Sequence, residues 1–273
     1  TPVEGHPASA TRSVERATGL LRLVMAYPDG IRLVDLAEAA GLHKATALRL
    51  LGALEREGLI ERDPATKCYT LGMDVVMAGW TSSRGSQLRN LGAAAARRIA
   101  DQTGDTAFLS ARCGPESLCL DRAEGSYPVK TLTLEVGSRR PLGVGAGSLA
   151  LLAFLPPEEQ QRVMRDVEPH LTAYRGFSLN LLHNLVEDAR QRGFAFNPGL
   201  IVTAMQAVAV PVMAANGQPI AALSVAAIHE RMVPERLNQA VDLLRLEARR
   251  METALRQRQP AQAPKPMERR RKP

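Results

Sequence analysis

The chain has 273 residues, 45% of them hydrophobic and 4% aromatic, with three cysteines and a formal net charge of +7. That length suits two modest domains with real cores; no apolar run is long enough to span a membrane and no leader pattern opens the chain, while the cysteines (Cys68, Cys113, Cys119) make neither a disulfide framework nor a zinc motif. A reducing, cytoplasmic setting is expected, and the scarcity of aromatics argues against stacking platforms for single-stranded nucleic acid.

Residues 1–10 read as a flexible start. Ser13 can cap an amphipathic helix whose apolar face holds Val14, Ala17, Leu20, Leu21, Leu23 and Val24, and Tyr27-Pro28-Asp29-Gly30 stops it. A short extended link leads to a second helix over about 34–40, closed by Gly41. A third begins at His43 or Lys44, with Ala47, Leu48, Leu50, Leu51 and Leu54 as its buried face. LIERDPATKCYTLG then reads as two strands around Asp63-Pro64-Ala65-Thr66.

Three helices with a tight turn between the second and third, then a hairpin, are the parts of a winged helix-turn-helix. A major groove about 12 Å wide admits one helix, whose first residues face base edges. His43, Lys44, Thr46 and Arg49 are the candidate DNA-binding residues of that helix; Arg62 and Lys67 flank the wing tip and can reach phosphates. Residues 1–80 hold nine Lys/Arg and ten Asp/Glu, so such a module must gather its cations on one face. A protein-docking module is the alternative reading of the same elements.

Residues 73–86 read as a connector, partly helical, whose apolar stretch with Trp80 needs a partner surface: the mate in a dimer, or the chain's own larger domain. Helix resumes near Gln87, and the small residues at 93–96 favour close packing. TAFLSARC and SLCLDRA form a hairpin around Gly114-Pro115-Glu116. YPVKTLTLEVGSRRPLGV adds a further strand region. The loop GVGAG leads into an apolar helix stopped by Pro156-Pro157. Two helices follow, the second closed by Gly193, then a hairpin around Asn216-Gly217 and a final helix from about Pro234 through Arg256. This order makes an α+β domain: an antiparallel sheet with helices on one side, resembling the GAF and PAS sensor folds. Residues 256–273 hold seven Lys/Arg against Glu268, so most of the net charge sits in a Pro-rich basic tail (257–273) that reads as disordered and as a sequence-independent phosphate contact at most.

No catalytic constellation is found, and no cofactor or metal is expected. The histidines form no HExxH, GVGAG is not followed by Lys and Ser/Thr in Walker order, and there is no GxSxG elbow. A binding pocket fits better. Gly143, Gly145 and Gly147 let backbone approach a ligand, and N–H groups before a helix suit an anionic or carbonyl oxygen; a tight packed turn is the competing reading.

Taken together, SVERATGLL, LAEAAGLHKATALRLLGALEREGLIERD and KCYTLG, then GSRRPLGVGAGSLALLAFLP, RGFAFNPGL and AVAVPVMAANGQPIAALSVAAI, resemble the IclR family of bacterial transcription regulators over residues 12 to about 250. The resemblance implies a winged-helix DNA-binding domain (11–72), a linker helix (73–86) and a GAF-like effector domain (87–256). It also implies a dimer or tetramer on a palindromic operator, a small organic acid or aromatic catabolite as effector, and a repressor or activator of catabolic genes. Arg49 falls on the family's usual arginine; Ala45 replaces a usual serine. Gly145 and Gly147 stand where hydroxyl residues are usual, Asn197 where an acid is, Ala207 where cysteine is frequent; of a serine pair Ser224 remains and Ala226 replaces the other. Loss of these anchors leaves room for a bulkier, more apolar effector. The expected effector-binding residues are Phe108, Leu109, Val144, Gly145, Ala146, Asn197, Ala207, Ser224 and Ala226. The alternative is a DNA-binding regulator whose C-terminal domain only oligomerises.

Overall fold

The computed structural model describes residues 7–81 and 83–257, side chains of 7–10, 79–81 and 83–84 excepted. The expected basic tail after Gln257 and the side chain of Trp80 lie outside the described residues. Two compact units divide the chain, residues 1–86 and 87–273.

The first unit runs α1 (Pro7–Ala26), β1 (Ile31–Arg32), α2 (Leu33–Ala39), α3 (Lys44–Arg56), β2 (Ile60–Arg62), β3 (Cys68–Leu71) and α4 (Met73–Thr81). The helices form because apolar residues recur at three- and four-residue spacing and converge. Leu20 and Val24 of α1 meet Leu36 and Ala37 of α2 and Ala47, Leu50, Leu51 and Leu54 of α3, with Ile60 and Tyr69 closing one end. Each large side chain buried there contributes about 1.5–3 kcal/mol. Gly41 makes the turn between α2 and α3. At φ +60 it takes the left-handed conformation while its N–H donates to Glu38 O and that of Leu42 to Ala37 O, the closing pattern of a helix that ends in glycine. The three short strands pair in the order β1-β3-β2, so the extended link after α1 is an edge strand of the wing.

The second unit begins within α5 (Ser83–Thr103) and continues through β4 (Thr106–Cys113), β5 (Glu116–Ala123), β6 (Arg139–Pro141), α6 (Ala146–Ala153), α7 (Pro157–Leu171), α8 (Leu179–Arg192), β7 (Ala195–Asn197), β8 (Met205–Met213), β9 (Pro219–Ile228) and α9 (Pro234–Gln257). The six strands form one antiparallel sheet in the order β6-β5-β4-β9-β8-β7.

Besides Ser13, which lies inside α1 rather than capping it because the helix already begins at Pro7, three expectations are corrected here. Helices cover both faces of this sheet, not one. Ala95, Ala96, Ile99 and Ala100 of α5 and Val241, Leu244, Ala248 and Met251 of α9 lie on one face with Leu109, Val208, Val210, Leu223 and Val225. On the other, α6, α7 and α8 gather around Leu149, Leu152, Val163, Leu182 and Val186 with Ala209 and Ala222. Double coverage explains why β9 reads as a near-continuous apolar run instead of an alternation. Second, α5 starts at Ser83, four residues before the expected resumption at Gln87: packing of its Ala-rich half overrides the weak propensity of the polar stretch before it. Third, only Arg139–Pro141 of the long YPVK…LGV region is a strand. The chain before it folds against the end of the sheet, with Gly125 N–H donating to Asp105 O, Tyr127 N–H to Gly104 O and Thr131 N–H to Thr106 Oγ1, so its donors are not available for a ladder.

Two buried carboxylates tie the α5–α9 layer. Asp105 pairs with Arg231 at 2.8 Å and Arg236 at 2.7 Å, and Glu247 with Arg98 and Arg250, both at 2.6 Å. With both charges answered, neither carboxylate carries the penalty of an unpaired buried ion.

Candidate DNA interface and ligand cavity

In the first unit the exposed face of α3 is the candidate interface. His43 caps the helix in an extended conformation (φ −61, ψ 139) without a side-chain bond, and its carbonyl accepts from Thr46 and Ala47 N–H. Its imidazole is therefore uncommitted to the cap. His43, Lys44, Ala45 and Arg49 are exposed and Thr46 is half-buried. The 100° step of a helix sets positions 44, 45, 48 and 49 on one face. That step corrects the expectation for Leu48, which is 47% exposed beside Lys44 and Arg49 rather than in the core. No acidic residue occurs between His43 and Leu54, so this surface is cationic although the whole unit is not.

The wing carries the other two candidates. Arg62 pairs in register with Tyr69, its guanidinium 5.5 Å from the ring centroid, a cation–π contact that holds the arginine along the strand. Lys67 sits at φ +61, the left-handed residue that closes the tip. Asp63 Oδ1 accepts from Ala65 and Thr66 N–H at 2.7 and 2.8 Å, and the Thr66 and Ala65 bonds hold its carboxyl below the usual range. The tip is thus shaped by its own acid, with Arg62 and Lys67 on either side.

In the second unit one face of the sheet opens into a cavity beneath the start of α6. Of the expected effector residues, Phe108, Val144, Gly145, Ala146, Asn197, Ala207, Ser224 and Ala226 line it together. Leu109 does not: it is fully buried in the cluster on the opposite face. Successive residues of a strand point to opposite faces, so Phe108 and Leu109 cannot share a site. Gly145 caps α6 at φ +94, and no side chain caps the first-turn N–H groups. Gly147 lets that turn descend on the sheet: a Cβ there would stand 3.3 Å from Ser110 Oγ and 3.5 Å from Ser224 Oγ. Asn197 Oδ1 is taken by Gly199 and Leu200 N–H, which leaves its amide NH2 as the donor it can offer.

The sequence reading missed most of the polar lining. Ser110, Ser117, Thr131, Thr133, Ser148 and Arg140 also border the cavity. Ser148 Oγ donates to Pro141 O at 2.8 Å, pinning the helix start to β6. The expectation that missing anchors leave room for a more apolar effector is corrected accordingly: hydroxyls from β4, β5, the 124–138 segment and the first turn of α6 line the cavity. At one end Phe108, Cys119 and Ala226 form a small apolar cluster with Leu134 and Ala207, and burial pushes the Cys119 thiol up to about 11, which keeps it neutral at physiological pH. The signal for the missed residues was weak, because single serines and threonines in strands carry no motif.

A family model for the IclR helix-turn-helix domain matches residues 13–64, and one for the bacterial transcriptional regulator IclR C-terminal region matches 84–253. The chain belongs to the IclR family. It is a transcriptional regulator with a helix-turn-helix DNA-binding domain and an IclR C-terminal domain. Among its IclR relatives is the "Probable transcriptional regulator SauR" of Cupriavidus necator, 32% identical over 86% of this chain and 94% of that one. The crystal structure of an IclR transcriptional regulator from Alicyclobacillus acidocaldarius is 26% identical, covers 89% of this chain and 98% of its own, and superposes with a TM-score of 0.71. An IclR homologue from Microbacterium hydrocarbonoxydans, crystallised in complex with 4-hydroxybenzoate, shares the fold at 24% identity, with 90% and 99% coverage and a TM-score of 0.70.

Proposed function

We propose that this regulator binds its operator through residues 11–72 and that the domain of residues 87–256, joined by the 73–86 linker, takes a small organic effector that modulates operator binding. The protein acts without catalysis, as a cytoplasmic dimer or tetramer on a palindromic site. His43, Lys44, Thr46 and Arg49 enter the major groove, and Arg62 and Lys67 contact phosphates. Leu48 joins them, since an exposed aliphatic side chain can meet a thymine methyl.

The observation that carries the effector half is the cavity under α6, where uncapped helix N–H groups and buried hydroxyls converge in a unit separate from the helix-turn-helix. Pockets with a few convergent polar groups in an otherwise apolar wall are the usual form of a small-molecule site. The IclR homologue that holds 4-hydroxybenzoate lends fold-level analogy only. The test is fluorescence anisotropy on an operator selected from random duplexes, with and without a small-molecule library. A compound that changes operator affinity and raises the melting temperature of the C-terminal domain is expected. A library that alters neither would leave a C-terminal domain that only oligomerises.

A further inference from the structure

Two connecting segments, from opposite ends of the strand order, form part of the cavity wall. Thr131, Thr133 and Leu134 reach it from the 124–138 segment between β5 and β6, and Ile201 and Val202 from the 198–204 link between β7 and β8. The first segment has a wet side and a dry side: Val129, Leu132 and Val136 are exposed, while Thr131 among them is buried. The two segments meet where Thr131 Oγ1 donates to Met205 Sδ at 3.4 Å, at the start of β8. Among the described residues of 124–138, only Leu134 joins an apolar cluster, the small one with Phe108, Cys119, Ala226 and Ala207. A segment with so few buried apolar contacts can open without unfolding the cores behind it.

Both segments are fastened to one short turn. His229–Arg231 is a single 3₁₀ turn between β9 and α9. At its first residue the His229 N–H donates to Ala204 O at 2.9 Å, and Nδ1 accepts from Gln206 Nε2 at 2.8 Å. At its last residue the Arg231 guanidinium lies 3.8 Å from the centroid of the Tyr127 ring, at the root of the other segment, a cation–π contact. The same guanidinium donates to Asp105 Oδ1 at 2.8 Å and Thr103 O at 3.1 Å. Arg236, in the first turn of α9, holds the second oxygen of Asp105 at 2.7 Å. The turn therefore joins the wall of the cavity to the end of α5 and the start of α9, whose buried side chains pack on the opposite face of the sheet.

Resting on the effector reading above for its purpose, we infer that the 124–138 and 198–204 segments open as one unit and that His229–Arg231 is the latch that keeps them shut, tying entry to the cavity to the α5–α9 layer. Tyr127 and Arg231 are positioning residues in this device, since neither lines the cavity. Opening must break the Tyr127–Arg231 contact or drag Arg231 from Asp105, a buried carboxylate that would then lose part of its counter-charge. That cost is what holds the wall closed. It also gives the wall a mechanical link to α5, the helix along which the chain crosses from the first unit to the second.

Cys119 packs against Leu134 and is 2% exposed, so its thiol reports opening of the wall. In the full chain with Cys68→Ser and Cys113→Ser it is the one cysteine left, and its reaction with DTNB is followed at fixed pH and low urea. Tyr127→Leu keeps an apolar body beside Arg231 and leaves both Asp105 ion pairs in place. It should speed labelling about twofold to thirtyfold, the range for loss of a cation–π contact. Arg231→Gln should speed it at least as much; Tyr127→Leu covers the case in which that variant misfolds. The gain should persist as urea approaches zero, the sign of local opening, whereas Leu109→Ala, which weakens the opposite core, should raise only the strongly urea-dependent part. Hydrogen exchange then asks whether the wall moves as one. In Tyr127→Leu the amides of Met205 and His229, bonded to Val202 O and Ala204 O, should exchange faster together with those of Tyr127 and Thr131. Unchanged labelling in Tyr127→Leu and Arg231→Gln overturns the proposal. So does faster labelling with Met205 and His229 exchanging as in the parent, because the segments would then open separately. These readings use no effector: a failed operator screen beside faster labelling would sink the effector role alone, and an active compound beside unchanged labelling the latch alone.

Discussion

The candidate DNA interface and the ligand cavity are built in opposite ways. The interface is local: four of its candidates fall within seven consecutive residues, 43–49, and Lys44 and Arg49 need only the helix to share a face. Its side chains are largely exposed and their neighbours are the chain itself. The cavity is non-local, drawing Phe108 and Ser110 from β4, Arg140 from β6, the start of α6, Asn197 from β7 and Ser224 from β9, with the β4 and β9 side chains aimed by strand parity. Local sites are therefore tolerant of packing changes, whereas the cavity depends on the sheet being held from both sides.

The largest effect that would break this contrast concerns the layer behind the cavity. Leu109→Ala empties a fully buried position among α5 and β9 side chains and should cost about 2–5 kcal/mol of stability, read as a lower urea midpoint of the C-terminal transition. A loss below half a kcal/mol would mean that Leu109 is not in that core. Next comes the exposed helix face. Arg49→Ala should weaken operator binding by about 1–3 kcal/mol, and Lys44→Ala should lower the slope of log affinity against log salt by about 1, with protein stability nearly unchanged in both. Anisotropy at several fixed salt concentrations checks this; equal operator affinity of both variants and the parent would remove α3 from the groove.

Gly147→Ala separates stability from ligand response more finely. Alanine gains about 1 kcal/mol over glycine inside a helix, and the tight approach to Ser110 and Ser224 Oγ at 3.3 and 3.5 Å opposes that gain. The net change in melting should be small while ligand affinity falls, because the methyl group occupies the space between the two hydroxyls. Position 145 is a poorer probe, since its φ of +94 strains any side chain whatever the cavity holds. A Gly147→Ala protein with unchanged response to every compound that acts on the parent would contradict this placement.

The smallest effect is at the wing tip. Because the native Asp63 carboxyl titrates below its ordinary value, through the Thr66 and Ala65 N–H bonds, its contribution is complete above the unfolded-state aspartate range and fades as pH falls through the lowered native value. Amide resonances of Ala65 and Thr66 should therefore move together at acid pH, and Asp63→Asn should abolish that shared transition. Independent titration of the two amides would mean that Asp63 does not organise the tip.

Much of the DNA-binding half was legible because three- and four-residue spacing, a glycine turn and a short hairpin are all local signals. Leu48 escaped for a local reason too: hydrophobic identity was weighed above its angle on the helix. In the larger domain the strands and most helices were readable from runs bounded by Gly and Pro; Gly145 was singled out from its glycine loop, and Asn197 and Ser224 through the family resemblance. Leu109 was misplaced because a doubly covered strand shows no alternation to reveal which residue faces which layer.

The sequence by itself determined the two-part organisation, the helix-turn-helix and the glycine-rich start of α6, since each rests on contacts between residues close in the chain. Only the tertiary structure decided that helices cover both faces of the sheet, that Leu109 and Phe108 part company, and that Arg140, Ser110 and Ser224 line one cavity. Those facts follow from strand order and register, which join positions more than eighty residues apart, such as Phe108 opposite Ser224, through hydrogen bonds that leave no periodic trace in the order of the amino acids.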